Sequence, residues 1–357
     1  MRARRFPPSD HCDGRRFFNP DGQADHGLGD LLRWQLSRRP QPWSRVAAVA
    51  APAPAPAAGV DDGMTVTYLG QASFLIQCPG LNLLTDPIFS RRASPLSWLG
   101  PERVRPPALT LDQLPPIQAV LLSHNHYDHM DLPSLRQLRR RWAPVIVTGL
   151  GNGAALAARG IPDAIELDWW QSWALGGGAT VHFVPARHWS KRGLFDRRAT
   201  LWGGHVLETA AGRLFFAGDT GYGGHFAAIR QRLGPPDLAL LPIGAYAPRW
   251  FMAAQHMDPE DAVRAHLDLG AGLSVAMHFA TFPLTDEGID EPARRLEEER
   301  RRFGVAAEGF RVPAFGQPVS WRRAPVSGPP GPEGTARAAS PGPDAASPPA
   351  PRPAGCG

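Results

Sequence analysis

The chain has 357 residues, of which 39 are Pro and 38 are Gly, and its formal net charge is +5. The longest apolar runs contain only a few residues, which excludes a membrane-spanning helix, and the basic N-terminus lacks the apolar segment of a secretory signal. The three cysteines, Cys12, Cys78 and Cys356, lie far apart, which excludes a disulfide framework and a cysteine-based zinc site. These features favour the reducing cytoplasm.

Composition divides the chain into five segments. Two stretches rich in Pro, Gly and Ala contain few large apolar side chains, so burial could not offset the conformational entropy that would be lost on ordering them. The segments that we predict are a disordered N-terminus (1–16), an N-terminal arm (17–46), an Ala/Pro linker (47–63), a folded domain (64–323) and a disordered tail (324–357). The domain is long enough to bury a large core.

The predicted elements begin in the arm, where residues 31–36 form a short amphipathic helix that packs on the domain or, alternatively, touches a membrane. Within the domain, alternating or β-branched residues predict strands at 64–69, 73–77, 81–85, 117–122, 145–148, 165–167, 181–184, 202–208, 213–217, 238–241 and 274–277. Helices are predicted at 132–141, 225–233, 259–269 and 292–302. Hairpins interleaved with helices favour an α+β fold in which two sheets form the core and the helices lie outside.

Four metal-capable side chains follow the predicted buried strand 117–122. They are His124, His126, Asp128 and His129, in the order His-x-His-x-Asp-His. Alternate residues project the same way at the end of a strand, so the first two histidines can bind one metal and the turn can aim the other two side chains at a second position. Imidazole and carboxylate ligands suit zinc, iron or manganese.

One loop cannot complete two coordination shells, so further ligands are expected at other strand ends. His188, Asp219 and His278 each come just after an apolar predicted strand. Each alone is more often an ordinary loop histidine or a capping aspartate. Their order after the histidine-rich loop predicts that all three are ligands.

This order of residues resembles the metallo-β-lactamase superfamily, and within it the N-acyl-phosphatidylethanolamine-hydrolysing phospholipase D group. The similarity extends over about 64–323, and residues 17–36 resemble the arm of that group. The segments that carry the resemblance include LTDPIFS (84–90), ELDWW (166–170), HWSKR (188–192), FAGDTGY (216–222) and PIGAY (242–246).

The resemblance implies a four-layer αββα sandwich and two zinc ions at one edge of its sheets. One zinc would be held by His124, His126 and His188, the other by Asp128, His129 and His278, with Asp219 as a bridge. Asp128 and Asp219 would be the catalytic carboxylates. Asp86 would orient a ligand histidine, because a ligating imidazole normally donates its other N–H.

Gln71 departs from the family pattern, since relatives often carry histidine at this position. The position is not a ligand in that pattern, so the sequence assigns Gln71 no role in the metal site.

Two metals that share a water can lower its pKa and stabilise both charged oxygens of a displacement. The predicted nucleophile is therefore a metal-bridging hydroxide that attacks a phosphodiester. The other phospholipase D mechanism needs paired His-x-Lys motifs. It is excluded because the chain has one lysine, Lys191, and the nearest preceding histidine, His188, has the wrong spacing.

Three residues are predicted to contact the substrate. Tyr127 lies inside the metal loop, which places it close to the site. Gln255 and His256 match a family position near the substrate phosphate. The alternative interpretation is that these two residues form the start of a capped helix before Asp258.

The leading hypothesis is a zinc phosphodiesterase that hydrolyses N-acyl-phosphatidylethanolamine or a related phospholipid. One alternative is a dimetal hydrolase of a lactone, a sugar phosphate or another small ester. A second alternative is a non-catalytic binding protein, which should lack ligands, whereas this chain has them all. The expected partner is phospholipid at the inner face of a membrane. The family suggests a homodimer, and nucleic acid is not expected because the Asp219–His278 stretch is short.

Overall fold

The computed structural model describes residues 6–22, 26–43, 53 and 55–322. The strands are β1 (Met64–Gly70), β2 (Ser73–Cys78), β3 (Leu81–Thr85), β4 (Ala119–Leu122), β5 (Val145–Gly149), β6 (Ile165–Leu167), β7 (Ser172–Gly176), β8 (Ala179–Val184), β9 (Gly204–Thr209), β10 (Gly212–Phe216), β11 (Leu238–Pro242), β12 (Leu273–Met277), β13 (Phe310–Arg311) and β14 (Pro318–Trp321). The helices are α1 (Leu28–Ser37), α2 (Leu132–Trp142), α3 (Asn152–Ala157), α4 (His225–Leu233), α5 (Arg249–Met252), α6 (Pro259–Leu269) and α7 (Glu291–Arg302).

The sequence patterns missed five of these elements, namely α3, α5, β7, β13 and β14. All five have at most six residues, which is too few to show a clear period. Both β7 and β14 lie at sheet edges, and most of their residues are exposed or only partly buried. An edge strand of this kind needs no run of apolar side chains.

The strands form two seven-stranded mixed sheets. The first has the order β14-β1-β2-β3-β4-β5-β6, and the second has the order β13-β12-β11-β10-β9-β8-β7. Strands β3 to β6 are parallel neighbours, as are β10, β11 and β12. The remaining pairs are antiparallel hairpins or edges, apart from the parallel pair of β12 and β13.

Alternation along β4 shows how the layers are built. Ala119 and Leu121 belong to the core that also contains the strands of the second sheet. Val120 and Leu122 point the other way and pack with Leu135 of α2. On the second sheet, α6 packs on β11. Both faces of each sheet are therefore covered, which confirms the predicted αββα sandwich.

The N-terminal segment differs from the expected disorder over 1–16. Cys12 is 3% exposed, the Phe6 and Phe17 rings lie 4.8 Å apart, and His11 Nε2 is 2.7 Å from Asp168 Oδ1. A few large side chains of this segment pack against each other or contact the domain, and local composition does not predict such contacts. Residues 1–5 lie outside the described residues.

The predicted helix of the arm is present as α1. Its Trp34 ring stacks on Phe251 of the domain with ring centroids 4.9 Å apart. Among the described residues, no helix combines the length and the apolar character that crossing a membrane requires. Residues 47–52 and 54 of the predicted linker lie outside the described residues, as does the tail 324–357.

Strand direction places several chain segments at one edge of the sandwich. In the first sheet, β3 and β4 are parallel, so the residues that follow them lie side by side. In the second sheet, β8 and β10 are both antiparallel to β9, and β12 is parallel to β11 and β10. The residues that follow β8, β10 and β12 therefore meet at one edge of that sheet.

Candidate metal centre

Three imidazoles form what we call the three-histidine cluster. His124 and His126 lie in the loop after β4, and His188 lies in the loop after β8. His126 Nδ1 is 2.8 Å from His124 Nε2 and 3.1 Å from His188 Nε2. Their ring nitrogens are thus close enough to bind one metal ion together.

Four side chains form a second group, the mixed cluster, with Asp128, His129, Asp219 and His278. His129 Nε2 lies 3.3 Å from Asp128 Oδ2 and 3.1 Å from Asp219 Oδ2. His278 Nε2 lies 3.2 Å from Asp128 Oδ2 and 3.1 Å from Asp219 Oδ1. Two imidazoles and two carboxylates therefore converge on one point.

The two clusters are adjacent, with the Asp219 carboxylate between them. Asp219 Oδ2 lies 3.1 Å from His129 Nε2 in the mixed cluster and 3.8 Å from His188 Nε2 in the three-histidine cluster. The structure thus brings together all seven side chains that the sequence analysis selected as ligands.

Asp86 links the metal loop to the end of β3. It is fully buried, and its carboxylate accepts from Ser123 N at 2.7 Å, from Ser123 Oγ at 2.5 Å and from His129 Nδ1 at 2.6 Å. Ser123 gives its only proton to Asp86, so its oxygen accepts from His124 Nδ1 at 2.9 Å. Both histidines consequently turn Nε2 towards the clusters.

His188 is held by the backbone and by the N-terminal arm. Its Nδ1 donates to Gln255 O at 3.0 Å, which leaves Nε2 free to face the three-histidine cluster. Asn19 Nδ2 donates to His188 O at 3.0 Å, while Asn19 Oδ1 accepts from Trp202 Nε1 at 3.2 Å. No local pattern around Asn19 predicts this contact, because His188 lies far away along the chain.

Gln71 lies inside the mixed cluster, although the sequence gave it no part there. Its Nε2 donates to Asp128 Oδ2 at 2.9 Å and to His278 Nε2 at 2.8 Å. The backbone carbonyl oxygen of Gln71 accepts from His278 N at 2.7 Å. The only signal in the sequence was that glutamine replaces the histidine common in relatives.

The electrostatics of the clusters suit a cation. Burial, followed by the neighbouring imidazoles, lowers the pKa of His124 and His126, which keeps them in the neutral form that binds metals. Burial also raises the pKa of Asp219, but His129 and His278 outweigh it and hold that pKa well below its usual range. Asp219 Oδ1 is buried and accepts no hydrogen bond from the described residues. These donors and charges fit bound metal ions.

The three predicted substrate contacts lie around this centre. The Tyr127 hydroxyl donates to Arg192 O at 2.7 Å. His256 Nδ1 is 3.9 Å from Asp219 Oδ2 and has no hydrogen-bond partner among the described residues. Gln255 contacts the centre through its carbonyl oxygen and His188, whereas its side-chain amide lies 3.7 Å from Met252 Sδ.

Asp258, two residues after His256, caps α6 by accepting from Asp261 N. The helix start of the alternative interpretation is therefore present, and His256 nevertheless lies close to Asp219.

Comparison with known proteins gives the same family as the sequence motifs. A family model described as a beta-lactamase superfamily domain matches residues 81–279. An uncharacterised protein of Mycobacterium tuberculosis is 39% identical over 295 residues, which cover 80% of this chain and 78% of that protein. N-acyl-phosphatidylethanolamine-hydrolyzing phospholipase D 1 of Caenorhabditis elegans is 36% identical over 249 residues, covering 67% of this chain and 70% of that enzyme.

Solved structures share the fold. The isothiocyanate hydrolase from Delia radicum gut bacteria aligns with a TM-score of 0.59 and 21% identity, over 73% of this chain and all of that one. At this level of identity the match concerns the fold alone.

Proposed function

The chain belongs to the metallo-β-lactamase superfamily of metal-dependent hydrolases, and we propose that it is a zinc-dependent phosphodiesterase acting on N-acyl-phosphatidylethanolamine or a related phospholipid. The observation that carries the proposal is the convergence of the three-histidine cluster and the mixed cluster around Asp219. The C. elegans phospholipase D supports the choice of substrate.

The proposed ligand sets follow the two clusters. His124, His126 and His188 would hold one zinc, while Asp128, His129 and His278 would hold the other. Asp219 would contribute to both sites, since its Oδ2 lies near a histidine of each cluster. When bound, two zinc ions would supply Lewis-acid stabilisation of the phosphodiester and a water of lowered pKa.

The protein's own groups prepare this chemistry. Asp86 accepts the Nδ1 proton of His129, so that Nε2 is the nitrogen that would bind a metal. His256 Nδ1, without a partner among the described residues, is placed to donate to a phosphate oxygen of the substrate. Tyr127, anchored through its hydroxyl to the backbone of Arg192, forms part of the wall beside the metal loop.

The substrate assignment is tested with purified, metal-loaded protein and a mixed phospholipid extract. Mass spectrometry should detect a phosphatidate and an N-acylethanolamine as products, in a reaction that chelators abolish. Elemental analysis should find two zinc ions per chain. If the loaded protein leaves these lipids intact but hydrolyses a lactone or a sugar phosphate, the lipid assignment is wrong and the metal chemistry stands.

Replacing the bridge tests the metal centre itself. We expect Asp219→Asn to reduce turnover by at least about a hundredfold, because a neutral amide cannot bridge two cations. Asp163→Asn is the matched control, since the Asp163 side chain is 81% exposed and forms only a surface pair with Arg139. Retained activity in Asp219→Asn would remove this residue from the bridge.

The phospholipid surface is the proposed partner of the enzyme, and the proposed location is peripheral, at the inner face of a membrane. A homodimer is proposed from the family resemblance. Sedimentation velocity of the metal-loaded protein measures its mass directly, and a monomer at all concentrations would contradict the dimer.

A further inference from the structure

A cavity of about 420 Å³ lies beside the metal loop. We call it the arginine cavity. It is enclosed by the loop after β3, by the first turns of α2 and by the loop after β8. The lining residues that matter here are Ser90, Tyr127, Asp131, Arg136, Arg159 and Arg192.

Three of these guanidinium groups lack a counter-charge. Arg136 Nε donates to Arg159 O, and Arg159 Nη1 donates to Ala155 O. Arg192 Nη1 donates to two carbonyl oxygens of the metal loop, those of Asn125 and Met130. Among the described residues, none of the three forms an ion pair with a carboxylate, and the Arg192 guanidinium lies 4.1 Å from the centroid of the Tyr127 ring.

The one carboxylate that lines the cavity does not neutralise them. Asp131 accepts from Ser90 N at 3.2 Å, from Ser90 Oγ at 2.8 Å and from the Ser134 hydroxyl. These donors occupy both of its oxygens. The cavity therefore has excess positive charge, and burial lowers the pKa of Arg192 to about 10, which reflects how poorly that charge is solvated.

Exposed apolar side chains occur in the two loops that contribute Leu96 and Arg192 to the arginine cavity. Leu96 lines the cavity and is 40% exposed, and Trp98 of the same loop is 71% exposed. Leu194 and Phe195, which follow Arg192 closely in the chain, are 84% and 91% exposed. Exposed Trp, Leu and Phe next to arginines are typical of surfaces that enter the headgroup region of acidic membranes.

We propose that the arginine cavity binds the phosphate headgroup of an acidic phospholipid, distinct from the lipid that is hydrolysed, while Trp98, Leu194 and Phe195 enter the lipid surface. Guanidinium groups match phosphate geometry through paired N–H donors. The apolar rim favours a lipid over free phosphate, because a soluble anion would gain nothing from it. The site goes beyond the proposed function, since it requires no turnover.

Vesicle flotation of the metal-loaded protein tests the proposal. The vesicles contain either phosphatidylcholine alone or phosphatidylcholine with phosphatidylglycerol, which is not the proposed substrate. We expect the wild-type protein to bind the acidic vesicles, and the double variant Arg136→Gln/Arg159→Gln to bind them at least about tenfold more weakly. Neither arginine contacts the metal loop, and equal melting temperatures would establish that folding is unchanged.

A matched control removes the same charge elsewhere. Arg140 and Arg311 are exposed and lie outside the arginine cavity, so Arg140→Gln/Arg311→Gln should weaken vesicle binding less than about threefold through general electrostatics. Equal losses in the two double variants, or no loss in Arg136→Gln/Arg159→Gln, would overturn the proposal.

A second arm separates lipid from free phosphate. Calorimetric titration with inorganic phosphate should give weak binding that Arg136→Gln/Arg159→Gln abolishes and Leu194→Ser/Phe195→Ser leaves unchanged, whereas the latter variant should lose affinity for acidic vesicles. Tight phosphate binding with equal flotation on neutral and acidic vesicles would overturn the choice of a lipid. Because neither measurement uses hydrolysis, failure here is distinguishable from failure of the proposed function.

Discussion

The three-histidine cluster and the mixed cluster lie side by side but are supported from different parts of the chain. The mixed cluster is held within the domain, by the Asp86 carboxylate on His129. In the three-histidine cluster, His124 is linked to Asp86 through Ser123, whereas His188 depends on a backbone carbonyl and on Asn19 of the N-terminal arm. Both clusters are thus linked to the buried Asp86, and only the three-histidine cluster is also coupled to a peripheral segment of the chain.

This difference has a physical consequence. A carboxylate buried with three donors orients its partner strongly, because charge-assisted hydrogen bonds are short and gain strength in a low dielectric. A neutral amide on a backbone oxygen orients its partner less strongly. Loss of Asp86 should therefore lower metal affinity at the mixed cluster more than loss of Asn19 lowers it at the three-histidine cluster.

The largest effect is expected for Asp86→Asn. The amide keeps the shape but presents donor hydrogens to groups that already donate, so His129 loses its orientation. We expect metal affinity at the mixed cluster to fall about ten- to a hundredfold, with a similar loss of turnover. Competition with a chromogenic chelator measures the affinity, and excess zinc should partly restore the turnover.

The control for this variant is Asp286→Asn, which removes a carboxylate that pairs with Arg38 of the arm. Its two metal affinities should match those of the wild type. If Asp86→Asn also retains both metals with unchanged affinity, the buried carboxylate does not control the mixed cluster, and the contrast between the clusters fails.

A smaller effect is expected for Asn19→Ala. The change leaves His188 O without its side-chain donor, which should lower the free energy of unfolding by about 1–3 kcal/mol. Metal affinity at the three-histidine cluster should fall by up to about tenfold. Thermal unfolding and chelator competition measure the two quantities separately.

Asn82→Ala provides the comparison for Asn19→Ala. Asn82 is also buried, and its amide donates to Ala58 O and Pro116 O near the start of β3, away from the clusters. Its loss should destabilise the fold without changing metal affinity. Equal metal affinities in the two variants would mean that the arm stabilises the fold without positioning His188.

Gln71→Ala should act in the opposite direction. The Gln71 amide donates to Asp128 Oδ2 and His278 Nε2, so a metal that binds to these atoms has to replace those hydrogen bonds. Removing the amide should raise affinity at the mixed cluster by about threefold, since each such bond contributes about 0.5–1.5 kcal/mol. Gln77→Ala, at the far end of the same hairpin, is the control. Weaker binding in Gln71→Ala would instead identify Gln71 as a metal ligand.

The residues of the two clusters differ in how far the sequence alone could predict them. The ligands of both clusters were predictable, because His124 to His129 are contiguous and His188, Asp219 and His278 each follow an apolar strand. Asp86 was predictable only through the family resemblance. The contacts of Asn19 with His188 and of Gln71 with His278 could not be predicted, since each depends on how distant segments meet after folding. The exposed strand β7 and the two-residue strand β13 lacked a periodic pattern for the same kind of reason.

The smallest expected effect concerns pH and the arm. His11 Nε2 lies 2.7 Å from Asp168 Oδ1, its Nδ1 lies 2.5 Å from Asp10 Oδ1, and its ring stacks on Trp169. Burial lowers the pKa of His11, but the hydrogen bonds to the two aspartates outweigh it and raise the pKa above the ordinary value of 6.5. The stabilisation is therefore complete below pH 6.5 and is lost as the pH rises through the raised pKa.

Hydrogen exchange of the segment 6–22 measures this directly, since protonated His11 should hold the arm against Asp168. We expect its protection, corrected for intrinsic exchange, to fall at most about fivefold between pH 6 and pH 9, because the pairs are partly exposed. In His11→Gln the protection should be lower at pH 6 and independent of pH, while a peptide from β11 serves as the internal reference.

Because Asn19 joins the same segment to His188, the wild type should also retain metal at the three-histidine cluster better than His11→Gln at pH 6, and equally well at pH 9. Identical protection of the two proteins at pH 6 would show that His11 does not hold the arm, and the coupling of this cluster to the periphery would then depend on Asn19 alone.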